Sequence, residues 1–253
     1  MNALKYIRST SIGSLEPELG APAMAAAPGV TNTIDIGKLP GGLVIGNTLL
    51  DVSNVPNGEV RAGISLSMLF ANRVATHQAG KADVDSWLAA YQTALGELGF
   101  RLSGTATTNS TFKKLGVEVH KAIIPVLKIA FGGAAVGPVI LSALEELGKA
   151  NSESPWITLF DHESKRFEIK EMHFAATVTT GFETEIRYAV ARLHVDVGQT
   201  QILFFKVTKN SANFDSLTTR LAVSNSLMAV VEDDLKERLA NLIKTYIWSA
   251  QIS

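Results

Sequence analysis

The stretch from Ile123 to Leu144, IIPVLKIAFGGAAVGPVILSAL, contains a single charged residue, Lys128, and constrains the fold more than any other part of the chain. As one continuous helix it would rise about 33 Å, enough for a bilayer core of about 30 Å. Gly133 to Gly137 also has the GxxxG spacing that lets membrane helices approach closely. That rod is broken in its middle, however. Gly132-Gly133 suits a helix end and Pro138 a helix start. The segment is therefore predicted to form two short helices, Lys121 to Phe131 and Pro138 to Leu147, with Pro125 in the first turn of the first and Gly148 ending the second. Each would span roughly 16 Å, too little to cross a bilayer. Three placements follow: a core hairpin wrapped by other structure, a hairpin that leaves the core to enter a membrane, or a subunit interface. The membrane-insertion candidates are Ile123, Ile124, Val126, Leu127, Phe131, Gly133, Gly137, Val139, Ile140 and Leu141. A constitutive transmembrane protein is not expected.

Charge is scarce elsewhere too. Asp, Glu, Lys and Arg make up 19% of the 253 residues, against about 25% in an average soluble chain. Such a deficit fits a large apolar core, a subunit interface or lipid contact. The 23 basic and 24 acidic side chains nearly cancel, so there is no bulk attraction to nucleic acid. The basic pairs Lys113-Lys114 and Lys165-Arg166 are isolated, and no nucleic-acid partner is expected. With no cysteine, disulfides, thiolate metal sites, Cys nucleophiles and S-acylation are excluded.

Residues 1–30 read as an Ala- and Pro-rich arm with Pro17, Pro22 and Pro28 and no sustained periodicity. Lys5 and Arg8 precede no apolar run of the length a secretory signal needs. The expectation is a protein cytoplasmic as synthesised, whose export, if any, uses no cleavable signal. Residues 31–253 are predicted to form a single α+β domain. Ile34 to Ile36, Leu43 to Ile45 and Leu49 to Val52 read as short strands, and Val60 to Thr76 as a helix. The clearest helix is Asp83 to Leu98, where Val84, Trp87, Leu88, Tyr91, Leu95 and Leu98 make one stripe. Asp83 and Gly99 supply its caps. Ser103 to Thr111 reads as an exposed loop. Trp156 to Thr208 reads as three or four antiparallel strands joined in sequence, alternating over Phe167 to Val178, Glu183 to Val197 and Gln201 to Thr208. A last helix covers Asn225 to Ile247. Together these describe a helical layer with a central apolar helical hairpin, packed on an antiparallel β-meander and closed by a C-terminal helix.

No familiar catalytic motif is present: no G-x-S-x-G, Walker, H-E-x-x-H or G-x-G-x-x-G pattern. Asp161-His162-Glu163-Ser164 gathers an acid, a base and a hydroxyl, but reads as a hairpin turn rich in turn-forming side chains. Glu171 shares a strand face with His173, as His194 does with Asp196, and both pairs read as solvated. With a turn centred near Gly181, His173 falls opposite Tyr188, which leaves His194 about 20 Å away. The pairs then cannot share one ion, whose ligands lie within about 2.6 Å. No metal and no cofactor is expected. The reading that follows is a non-enzymatic, membrane-interacting protein of the secreted-effector or pore-forming-toxin type, acting on lipid through the apolar hairpin. The alternatives are a self-assembling homo-oligomer tethered by the N-terminal arm, and an enzyme without a known motif.

Overall fold

The computed structural model describes residues 2–14, 32, 34–80, 83–110, 116–149, 154–194, 201–206 and 214–250. Strands β1 (Gly42–Ile45) and β2 (Thr48–Asp51) form a tight antiparallel hairpin in which every residue is buried. Strands β3 (Arg101–Ser110), β4 (Lys170–Thr180), β5 (Glu183–Leu193), β6 (Phe214–Ser224) and β7 (Ile247–Ser249) complete a seven-stranded sheet in the order β3-β6-β5-β4-β2-β1-β7. β4, β5 and β6 run antiparallel in succession, as an antiparallel meander should. The sheet as a whole is mixed, because β2 pairs with β4 in parallel, Thr48 opposite His173.

Strand alternation assigns the helices to the two sides of the sheet. One face carries His173, Tyr188 and Arg192 and meets α3 (Val84–Glu97), which packs with α2 (Gly58–Ala79). Helix α7 (Asn225–Tyr246) packs on α2, and the short α1 (Ala3–Ser9) on α7. The opposite face carries Phe174, Ala176 and Arg187 and meets α4 (Val119–Ala130), α5 (Pro138–Glu146) and α6 (Pro155–Ser164). Covering both faces explains why β4 is buried from Glu171 to Thr177 without a solvent-facing alternation.

Helix α2 lies innermost. Asn57 caps it by accepting from the amides of Glu59 and Val60, and every residue from Ala62 to Ala75 is buried. It crosses α7 at Gly63, where a Cβ would lie 2.2 Å from the Met228 carbonyl oxygen. Helix α3 follows its sequence stripe closely. Its Asp83 cap accepts from the Ser86 amide and hydroxyl, and these bonds hold the carboxyl below its ordinary range.

Several expectations are corrected. Ile34 to Ile36 is not a strand, and a 3-10 turn occupies Ile36–Lys38, capped by Asp35. The Thr- and Ser-rich segment from Ser103 pairs along β6 as strand β3. Trp156 lies in a helix, since Pro155 begins α6 rather than a strand. Gln201 to Thr208 is not a strand: residues 202–204 form a 3-10 turn and 207–208 lie outside the described residues. The third meander strand is instead β6, from Phe214. Within residues 1–30, α1 carries the fully buried Ile7, and Ile12 is also buried, while 15–30 lie outside the described residues.

Gly63→Ala is expected to lower unfolding free energy by about 2 kcal/mol. Overpacking against a fixed carbonyl exceeds the roughly 1 kcal/mol that alanine adds in helix propensity. Urea denaturation of the variant checks this.

Candidate functional site

The segment singled out by the sequence folds as α4 and α5, which pack together over β2 and β5. Pro125 lies in the middle of α4 instead of its first turn, so the Lys121 carbonyl loses its helical donor at an exposed position. Gly137 begins α5 from the left-handed conformation (φ 76°), with Pro138 directly after it. A Cβ at Gly137 would lie 3.0 Å from both Ala176 and the Phe131 ring, so the loop between the helices sits directly on β4.

The ten candidates divide by burial. Ile123, Leu127, Phe131, Gly137, Ile140 and Leu141 face inward; Ile124, Val126, Gly133 and Val139 are half-buried. The outer surface is apolar as well. Ile129 is 82% exposed, and Pro125, Gly132, Ala134, Ala135 and Pro138 are exposed beside it. Charge returns toward the open end, with Lys121, Glu145 and Glu146 exposed, and Lys128 crosses to Glu145 at 3.2 Å.

Two charged side chains fasten α4 and α5 to the sheet. Asp51, 1% exposed, accepts from the Val139 amide at 2.8 Å, supplying the side-chain cap that the N-cap residue Gly137 cannot. The same carboxylate accepts from the amide and hydroxyl of Ser53. Arg187 donates to the Phe131 carbonyl at the end of α4.

A second constellation lies beneath α3, and here the sequence reading is corrected. Glu171 and His173 share a face as expected, but both are buried. His173 Nε2 lies 2.6 Å from Glu171, and the Tyr188 hydroxyl bonds Nδ1. A neutral imidazole protonated on Nε2 satisfies both contacts, with the tyrosine donating. Arg192 joins Glu171 at 2.9 Å to Asp85 at 2.7 Å on α3. Trp87 stacks on Tyr91 at 5.1 Å and meets His173 edge-on at 5.3 Å. Burial raises the Tyr91 and Tyr188 hydroxyls above their ordinary range. These groups engage one another under an aromatic cover, and the arrangement fastens α3 to the sheet. The cue available in sequence was the apolar character on both sides of this pair, from Met172 and Phe174 to Ala175 and Ala176.

Asp161-His162-Glu163-Ser164 forms the last turn of α6, not a hairpin turn. Asp161 accepts from the Ile202 amide, and Glu163 pairs with Arg166. Burial opposes the Glu163 charge, but Arg166 and His162 outweigh it and hold the carboxyl below its ordinary range. Asp196 lies outside the described residues. Among the described residues no group of three or more His, Asp or Glu side chains is placed to hold a metal ion, and no helix is long and apolar enough to cross a membrane. A cleft of about 560 Å³ is lined by Gly37, Asn57, Gly58, Glu59, Ala62, Glu232 and Lys236. Another of about 470 Å³ lies between Ile7, Arg8, Asp234, Glu237 and Arg238. Neither includes His162, Asp161 or His173.

No family model matches the chain, and no curated protein matches it. Among solved structures it is similar to a delta-endotoxin, with TM-score 0.40 and 11% identity over 77% of this chain and 86% of that one. It is also similar to the Evf virulence factor, with TM-score 0.34 and 14% identity over 90% and 86% of the two chains.

Three outcomes follow from these constellations and the first cleft. Glu171→Gln is expected to cost about 2 kcal/mol in urea unfolding, because it removes the buried charge of a pair whose half-buried Arg192 keeps only Asp85. Asp85→Asn, at the exposed end of the same chain of contacts, should cost under about 1 kcal/mol. In the first cleft, burial, Asp233 and Glu59 raise the Glu232 carboxyl above its ordinary 4.5. The stability tied to its protonation is complete below 4.5 and is lost as pH rises through the higher folded-state value. Glu232→Gln should therefore raise Tm at pH 7, and thermal melts below pH 4 should show no gain.

Proposed function

We propose that this is a non-enzymatic, membrane-active protein, of the secreted-effector or pore-forming-toxin type, whose α4–α5 hairpin leaves the sheet and enters lipid. The observation that carries the reading is the apolar outer surface of the hairpin, with Ile129 82% exposed in a layer whose inner surface is also apolar. An ordinary surface helix turns a charged face to water. Here both faces are largely apolar, the one charge within them, Lys128, reaching across to Glu145. In the mechanism, Val139 and Phe131 leave Asp51 and Arg187, the closed end of the hairpin descends, and Lys128, paired with Glu145, stays with Glu145 and Glu146 at or near the interface. Each helix is too short to span the bilayer, so a first insertion reaches one leaflet.

The chain has no cysteine, which makes a specific lock available. A Cβ at Gly42 would lie 3.7 Å from Val139 Cβ, inside the range a disulfide requires. In the double variant Gly42→Cys with Val139→Cys, the oxidised protein should release no dye from phosphatidylcholine vesicles, and reduction should restore release to the wild-type rate. Equal leakage from the oxidised and reduced forms would sink the proposal.

A further inference from the structure

Arg187, which holds the end of α4, has a second arginine directly beside it. It pairs in register with Arg220 on β6, so the two Cα atoms lie about 5 Å apart with both side chains on one face of the sheet. That face is the one that meets α4 and α5, since Arg187 donates to the Phe131 carbonyl. Like charges directly opposite one another on adjacent strands destabilise the pairing. Here the residues around them are small. Ala176 on β4 lies across from Arg187, and Gly104 on β3 lies across from Arg220. The next residues along the same face include Ala189, Thr218 and Ala222. A Cβ at Gly104, or at Gly133 in the loop between α4 and α5, would meet nothing within 4 Å, so there is open room on both sides of the pair. At Gly132 a Cβ would lie 2.7 Å from the Arg187 guanidinium, which therefore rests against the loop backbone. Arg187 also bonds Glu185 at 2.7 Å, and Arg220 is exposed. By register this end of the face carries Arg101, Arg187 and Arg220 against Glu183 and Glu185, an excess of one positive charge.

We propose that the Arg187–Arg220 pair is a binding site for a phosphate group, and that phosphate bound there loosens the α4 end of the hairpin. Two guanidiniums side by side can share the oxygens of one tetrahedral phosphate, each through its planar fork of donors. A phosphomonoester, close to dianionic at neutral pH, turns the repulsion between the bare pair into affinity. The small residues beside the arginines leave the group room to enter from solvent. The proposal rests on the membrane-active reading above and adds its trigger. Arg187 is the side chain that fastens the Phe131 carbonyl, so a phosphate that draws its guanidinium toward Arg220 takes a donor from the end of α4. The same chemistry is offered by a lipid headgroup and by a soluble phosphate compound, and the two sources are separated by experiment.

The test uses the full chain and two probes. The first is inorganic phosphate at about 20 mM, compared with chloride of equal ionic strength. It should raise Tm by about 2–4 °C, the shift for a site with Kd on the order of 2 mM. Arg220→Gln should melt as the wild type does in chloride and show no rise in phosphate. Arg220→Lys keeps the charge without the fork and should retain less than about half of the rise. The second probe is phosphatidylcholine vesicles with and without phosphatidic acid, whose headgroup is a phosphomonoester. Phosphatidic acid should speed dye release at least about tenfold in the wild type and not at all in Arg220→Gln. A phosphate shift that needs Arg220, without faster release, would keep the site for a soluble phosphate compound and overturn the trigger. Equal Tm in phosphate and chloride, with release that ignores Arg220, would overturn the site and leave the hairpin proposal standing. A phosphate shift lost in Arg220→Gln, in a protein that releases dye from no vesicle, would keep the site and overturn the hairpin.

Discussion

The parallel pairing of β2 with β4 is the contact on which the rest of the structure depends. The His173 amide donates to the Asn47 carbonyl at 2.9 Å, and the Asn47 side chain reaches the Glu171 carbonyl. Through that seam an early hairpin and a late meander become one sheet. On one face it brings Thr48 beside His173, under α3. On the other it places Asp51 beneath α5, where its carboxylate caps the Val139 amide. Both the aromatic seal over the buried histidine and the fastening of α5 therefore depend on one strand of four residues.

That strand also shows how sequence and structure relate. Leu49 to Val52 could be read as extended from its composition, but nothing local announces a partner more than a hundred residues away. Helix α3 was legible because cap, stripe and terminal glycine agree, and such agreement is what gives a segment one structure. Helices α4 and α5 were legible from Gly132-Gly133 and Pro138, although Pro125 was tolerated in mid-helix because the carbonyl it frees faces water. β3 was hidden because a run of Thr, Ser, Asn and Gly resembles a loop until β6 is there to pair with it. α6 was hidden for the opposite reason, its apolar run being as suitable for a strand as for a short helix.

The histidine pair is instructive in another way. The expected register placed Tyr188 opposite His173, and the observed partner is Val190. A slip of two residues preserves the face of every side chain, whereas a slip of one would reverse it. Tyr188 consequently still reaches His173, from the diagonal position. The error concerned solvent instead of direction. Alternation along a strand says which residues share a side, and only the helices packed on that side decide whether it is wet.

The long span of the central seam has a consequence for how the chain is made. Thr48 meets His173 across more than a hundred intervening residues, and β1 gains its outer neighbour only at residues 247–249. Contacts this distant in sequence slow folding, since the chain loses loop entropy before any pairing repays it. Helix α2, buried on nearly every side, emerges early and must wait for α7 to cover it. In chain order an apolar helix and an unpaired hairpin thus precede by more than a hundred residues the segments that cover them, and both stay exposed until those segments arrive.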